Sequence, residues 1–274
     1  IISYIIIKFK NYILMNELLK ILKELKTLGV SGVKQSTEDE GSSFEDIKYM
    51  RKVTKSADLK LNVKIGGCEA KNDINFCKDI KVDSIIAPMV ESTYALKKFT
   101  QYADLDKNCS HFFMLETLLS FKNIVDMLNS NSIKSIDGII VGRSDFVGSL
   151  GYKKDRVNSD LIFKKIENYL NKIKKKNKKK FIFKMGGSMS EKSKKFASKL
   201  FNKNLLHFIE TRNIEIKLSK KSLKNIDLII PKAFKFEMLW LKYKLKKNSK
   251  RKGLKYKSDI NRLNEINKRI NLNE

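Results

Sequence analysis

Two acidic residues stand where this sequence can do chemistry. Glu116 closes the apolar run Phe112-Phe113-Met114-Leu115 and precedes Thr117. Asp145 follows Ile139-Ile140-Val141 through Gly142-Arg143-Ser144. In both places a hydrophobic stretch of strand length ends by presenting a carboxylate. Two carboxylates from neighbouring strands, converging with water positions left open, suit a hard divalent cation such as Mg2+ or Mn2+. A cation held in this way can bind a 2-oxo acid and stabilise the enolate formed when a carbon–carbon bond breaks. Singly, each acid reads first as a solvated first-turn residue that a helix dipole favours; recurrence at matching places gives the pair its weight.

The residues around them extend the same theme. Gly142 and Ser144 flank the approach to Asp145, and a glycine there lets a ligand come close to the backbone. Gly66-Gly67 ends another apolar run, and Gly186-Gly187 repeats it after Lys184-Met185. Paired glycines at strand ends can cradle a carboxylate or phosphate on backbone N–H groups, or can simply make tight turns. A Schiff base through Lys64 or Lys184 is the alternative chemistry, since a desolvated lysine is a nucleophile.

The elements that must position these residues alternate regularly. Strands are expected at 30–36, 59–67, 82–90, 110–116, 136–142, 181–187 and 206–218. Helices are expected at 43–57, opened by Ser43 as N-cap, and at 69–80, 92–103, 117–130, 159–173 and 190–203. Leu18, Leu19, Leu22 and Leu25 share one face of a helix that Gly29 ends. Repeating βα units of short apolar strands predict an α/β fold: a TIM (β/α)8-type barrel with a parallel sheet and a C-terminal helical extension. Seven strands are read directly, and the eighth is expected before residue 30 or within 226–230. No strand–GxGxxG–helix unit supports a dinucleotide fold. Residues 15–220 read as the barrel. Residues 221–274 read as helices packing on it or on a neighbouring subunit, and residues 1–14 as a segment outside the domain. In such a barrel the site lies at the C-terminal ends of the strands, where the acids and glycines fall.

Composition narrows the partners. The 274 residues carry a formal net charge of +28. The excess is almost all lysine, spread along the whole chain, without the concentrated arginines and aromatics that read bases and stack on them. No specific nucleic acid is therefore expected. The three cysteines, Cys68, Cys77 and Cys109, form no CxxC pair and suit a reducing compartment. The opening "IISYIIIKFKNYIL" is interrupted by Lys8 and Lys10, too short to span a bilayer and without signal-peptide features, so a cytoplasmic protein is the default and no membrane partner is expected.

Three segments in order, "IAPMVES", "FFMLET" and "IDGIIVGRSDFVGSLG", resemble the HpcH/HpaI aldolase / citrate lyase beta-subunit family. Its members have a strand ending in Pro before a helix entry, a strand ending in Glu-Thr, and a Gly-x-x-Asp-Leu turn followed by Leu-Gly. The resemblance covers about residues 30 to 215. It implies a TIM barrel with a divalent metal held by Glu116 and Asp145. It implies aldol or Claisen chemistry on 2-oxo acids or acyl-CoA esters, and a homo-oligomer. The sequence departs from the pattern where the family often has an arginine on the strand matching "LNVKIGG". Lys64 is the nearest match, and it supplies charge without the planar fork. Arg143, or Arg212, can compensate. Phe146 replaces the usual leucine. The acidic loop "STEDEG" resembles the family's acidic loop, which makes Glu38 and Asp39 candidate water-orienting or proton-moving groups; a water on the cation is the alternative.

The expected function is a metal-dependent carbon–carbon lyase on a pyruvate-like 2-oxo acid. Glu116 and Asp145 hold the cation, Lys64 or Arg143 neutralises charge, and Gly66, Gly67, Gly142 and Ser144 bind substrate. An acyl-CoA ester lyase is the alternative enzyme. A non-catalytic barrel binding a small acid, and a basic nucleic-acid binder, are the alternatives of other classes.

Overall fold

Side-chain alternation along short strands explains how this chain encloses its centre. In a closed barrel every second residue points inward. Here these are even-numbered through β1 (Val30–Ser36), β2 (Lys60–Lys64), β3 (Ser84–Ala87), β4 (Ser110–Leu115), β5 (Gly138–Gly142), β6 (Ile182–Gly186) and β7 (Phe208–Glu210). The odd-numbered partners, such as Val33, Val63, Ile85, Phe113, Ile139, Met185 and Ile209, are buried in the outer core beneath the helices. Our computed structural model describes residues 2–38, 40–103, 108–176, 180–247 and 254–271. The strands close in sequence order from β1 to β8 (Ile214–Lys217).

The predicted α/β barrel with a C-terminal helical extension is the observed architecture, with one correction. The segment 206–218 is two strands, not one. β7 turns at 211–213, where Thr211 N–H donates to the Ile214 carbonyl at 2.9 Å, and β8 returns antiparallel to both β7 and β1. The eighth strand therefore lies here rather than before residue 30 or within 226–230; the latter falls in a helix. A three-residue link is too short for the crossover a parallel strand needs, so this last pair is a hairpin. The other neighbours pair in parallel.

Helices alternate with the strands: α1 (Ile2–Leu28), α2 (Phe44–Ala57), α3 (Lys71–Asp79), α4 (Thr93–Ala103), α5 (Leu118–Asn129), α6 (Arg143–Ser149), α7 (Asp160–Lys176), α8 (Lys194–Asn202), α9 (Lys220–Lys224), α10 (Ile226–Lys247) and α11 (Leu254–Asn271). Ser43 caps α2 as expected, in a reciprocal box with Asp46. Leu18, Leu22 and Leu25 of α1 are fully buried. Each contributes about 1.5–3 kcal/mol against exposure. α10 runs up beside β1, where Trp240 Nε1 donates to Gln35 Oε1 at 3.0 Å and Lys244 Nζ to the Glu40 carbonyl at 3.0 Å. It covers the side of the barrel that the β7–β8 hairpin leaves without a helix of its own. Among the described residues no helix is long and apolar enough to cross a membrane.

The interior is divided. Ile86, Phe112, Met114 and Ile140, with Ile182, form an apolar cluster apart from the outer core. The opposite wall is charged: Lys184 pairs with Glu215, and Lys34 with Glu210. Gly138 lets the apolar wall close, because a Cβ there would lie 2.0 Å from the Ile182 carbonyl oxygen and 2.8 Å from the Phe112 ring. Two strand backbones cannot both give way. Gly138→Ala is expected to cost about 3 kcal/mol in urea unfolding. Gly148→Ala, on open helix surface where a Cβ meets nothing within 4 Å among the described residues, should stabilise slightly.

Candidate active site

The mouth of the barrel is formed by the inward residues at the strand ends: Ser36, Lys64, Gly142, Gly186 and Glu210, with Glu116 just beyond β4. Thr117 caps α5 through a reciprocal bond with Ser120, which fixes the turn and leaves Glu116 facing the mouth. Glu116 is 3% exposed, and the Met89 N–H donates to its Oε1 at 2.9 Å. Met89 adopts a left-handed backbone (φ 53°) while its side chain stays exposed, so the strained residue is placed to aim that N–H. Gly142 is required beside it. A Cβ at Gly142 would sit 2.7 Å from Glu116 Cβ and 2.8 Å from its Oε2.

Burial pushes the Glu116 carboxyl above its ordinary range, and the neighbouring Asp145 charge adds to that, while the Met89 N–H and the charges of Lys64 and Lys34 oppose it. Asp145, Lys64 and Lys34 thus all act on Glu116 across the mouth. Asp145 is exposed in the first turn of α6, a helix that the sequence reading did not foresee. Among the described residues no three His, Cys, Asp or Glu side chains gather as a ready metal cluster. The donors are nevertheless right for a hard cation. Two carboxylates, one buried against its preference, gain from a nearby positive charge, and Mg2+ keeps several water or substrate ligands in such sites.

Other expected site residues are placed differently. Arg143 is fully buried and points away from the mouth. Its Nε donates to the Gly186 carbonyl (3.3 Å), Nη1 to Asn158 Oδ1 (2.8 Å), and Nη2 to the Gly187 carbonyl (2.8 Å) and Ser193 Oγ (3.2 Å). With its donors spent on the chain, Arg143 positions the β5 and β6 ends and does not meet substrate. Arg212 likewise lies toward Glu40 and Glu237, at 3.9 and 4.0 Å. The Gly66 N–H is taken by Asp73 Oδ2 at 2.8 Å, so the glycine pair there is a tight βα turn whose anion is the chain's own. Gly67 follows in that turn, its carbonyl accepting from Ala70 N–H at 3.3 Å. Glu38 is exposed at the rim, its side chain against Gly66. Asp39 lies outside the described residues. Ser144 is half-buried and shares a 2.9 Å hydrogen bond with Ser188. Gly187 (φ 82°) packs against the Ser144 and Arg143 amide nitrogens.

Lys64 is half-buried at the mouth, within electrostatic reach of Glu116. Lys184 lies one inward position deeper, engaged with Glu215 and covered by the Phe112 and Phe208 rings at 4.0 and 5.3 Å. A carbonyl at the mouth does not reach it, which removes the structural basis for a Schiff base there. Burial pushes the Cys68 thiol up to about 11, which disfavours the thiolate that a nucleophile needs.

Solved structures share this architecture. A citrate synthase, SbnG, matches at a TM-score of 0.57 and 16% identity over 71% of this chain and 81% of that one. An HpcH/HpaI aldolase from Desulfitobacterium hafniense DCB-2 matches at 0.57 and 12% identity, over 70% and 81%. An HpcH/HpaI aldolase/citrate lyase family protein from Burkholderia cenocepacia J2315 matches at 0.54 and 12%, over 70% and 82%. The chain has the HpcH/HpaI aldolase fold. No protein-family model and no curated protein matches its sequence. Met89 and Glu210 fall at strand ends where the sequence places the site but gives them no role, and Lys34 carries no mark in the sequence beyond its inward parity. Inward parity along "VSGVKQS" and "FIE" was the signal for the last two.

Proposed function

We propose that the chain is a carbon–carbon lyase of the aldolase type, acting on a pyruvate-like 2-oxo acid with a divalent cation, Mg2+ or Mn2+, held by Glu116 and Asp145. The observation that supports this best is Glu116 itself. A carboxyl buried at a barrel mouth, with an acid beside it and lysines around it, is poorly placed as structure and well placed as a cation ligand. The cation, when bound, withdraws electron density from the 2-oxo acid so that the enolate is accessible. Lys64 meets the negative charge of the substrate. Gly142 leaves room for the Glu116 side chain, and Gly186 leaves room over the backbone for the reacting carbons. Glu38, at the rim against Gly66, moves the proton to and from the substrate. Arg143 holds the loops that carry Asp145 and Gly186. The chain is expected to assemble as a homo-oligomer.

The test is proton–deuterium exchange at the methyl group of pyruvate. Exchange is expected with Mg2+ or Mn2+, is expected to stop with chelator, and is expected to fall by about 10²–10³-fold in Asp145→Ala. A folded protein that gives no exchange with either metal refutes the pyruvate reading. Acyl-CoA cleavage is then the next assay, and binding of a small acid without turnover the one after.

A further inference from the structure

TIM-barrel interiors are usually filled by branched apolar side chains. Here one wall carries a buried ion pair at the edge of the site. Lys34 Nζ, on β1, reaches past β8 to Glu210 Oε2 on β7 at 3.0 Å. The lysine side chain is 14% exposed and the glutamate 1%. Burying two charges costs more than an apolar pair of the same volume would, so a buried pair is poor evidence of stabilisation alone. The glutamate is also incompletely satisfied, since its Oε1 has no hydrogen-bond partner among the described residues. A carboxylate placed for stability would have both oxygens bonded.

The pair sits at the site. Glu210 is the last inward residue of β7, and the nearest atoms to a Cβ built at Gly186 belong to it. Lys34 also acts on Glu116 across the mouth, alongside Lys64. The mouth and its rim therefore hold four carboxylates (Glu38, Glu116, Asp145, Glu210) and two ammonium groups (Lys34, Lys64). A divalent cation offsets that excess of carboxylates, which leaves the two lysines to meet the charge of an anionic substrate.

We infer that Lys34, held in place by Glu210, is a second substrate-binding cation, which shares with Lys64 the carboxylate and enolate oxygens of a 2-oxo acid. The inference rests on the lyase reading above. Two lysines on adjacent strands then do what one forked guanidinium does elsewhere, with Glu210 supplying the rigidity that a flexible ammonium lacks. Lys34 is a binding residue, and Glu210 a positioning one.

Calorimetric titration of the full chain with Mg2+, and then with oxalate in saturating Mg2+, tests this. Oxalate is a planar dianion shaped like the pyruvate enolate. Lys34→Gln keeps an N–H donor for Glu210 but removes the charge. It should weaken oxalate by at least about tenfold while leaving Mg2+ affinity equal or tighter. Lys34→Arg should stay within about threefold of wild type, and the exposed control Lys52→Gln within about twofold. Oxalate affinity unchanged in Lys34→Gln overturns the inference. So does a parallel loss of oxalate and Mg2+ in a variant whose urea midpoint matches wild type, which marks Lys34 as a residue that shapes the whole mouth and not one that meets the substrate. Lys34→Arg replaces Lys34→Gln where the latter does not fold, and an arginine that binds Mg2+ but loses oxalate overturns the inference as well. Wild type that binds Mg2+ but no oxalate, or neither, refutes the lyase reading itself, and the role of Lys34 falls with it.

Discussion

Arg143→Leu is expected to destabilise the fold by about 3–5 kcal/mol and to abolish activity with it. The guanidinium is fully buried and donates to the Gly186 and Gly187 carbonyls, Asn158 and Ser193, with Phe196 packed against it at 5.1 Å. Burial draws its pKa down to about 10, so it remains charged at neutral pH. Leucine fills part of the space but leaves several buried acceptors without donors, and each such loss costs about 1–3 kcal/mol. The sign follows from geometry: one buried side chain joins the β5 end to the β6–α8 connection with several hydrogen bonds, where the neighbouring Ser144–Ser188 contact supplies a single one. Arg143→Lys should recover only part of the loss, because an ammonium cannot bond in several directions across a planar fork. Urea midpoints for the three proteins, at constant slope, measure this. A midpoint for Arg143→Leu within about 0.5 kcal/mol of wild type would show that Arg143 is not the tie described here.

That residue also shows where the sequence could be read and where it could not. Glu116, Asp145 and the strand ends that present them follow from local pattern: an apolar run, a polar residue, a capped helix. The fold class follows from repetition of that pattern. Arg143 has the same local pattern, and its direction is set by Gly187, Asn158 and Ser193, residues up to fifty positions away that no spacing rule connects. Gly66 failed for the same reason, since its N–H was claimed by Asp73 on the next helix. The eighth strand was hidden because two short strands and a three-residue turn look like one strand when inward and outward residues are not counted separately. Counting them places Glu215 inward and Ile214 and Ile216 outward, and the parity change across Thr211, Arg212 and Asn213 is what reveals the hairpin. Lys34 and Glu210 were legible by the same count, but a lysine among 58 basic residues does not attract notice until its partner is seen.

Glu116→Gln is expected to remove function and add stability, and opposite signs in one substitution are hard to obtain from a structural residue. Glutamine keeps the shape and can still accept the Met89 N–H. It cannot carry the charge that burial and Asp145 disfavour. The raised pKa means the folded state binds this proton more tightly than the unfolded state does. The contribution of Glu116 to stability is therefore greatest below the ordinary glutamate value of 4.5, and it is lost as pH rises through the raised folded value. At neutral pH the metal-free variant should be more stable than wild type by about 0.5–2 kcal/mol, and its stability should vary less across that window. Excess Mg2+ should then raise the Tm of wild type and leave the variant unmoved, because a ligand stabilises only the form it binds. Pyruvate exchange should fall by about 10²–10³-fold. In wild type, the Mg2+ concentration needed for half-maximal exchange should rise on acidification, since protons and the cation compete for the same carboxyl. If Glu116→Gln exchanged as wild type does, the buried carboxylate would be a structural acid and the metal would have to be held elsewhere. If the variant lost exchange and stability together, Glu116 would be a packing residue whose charge the fold needs. Only loss of exchange with a gain of stability identifies a group that the fold tolerates for the sake of its ligand.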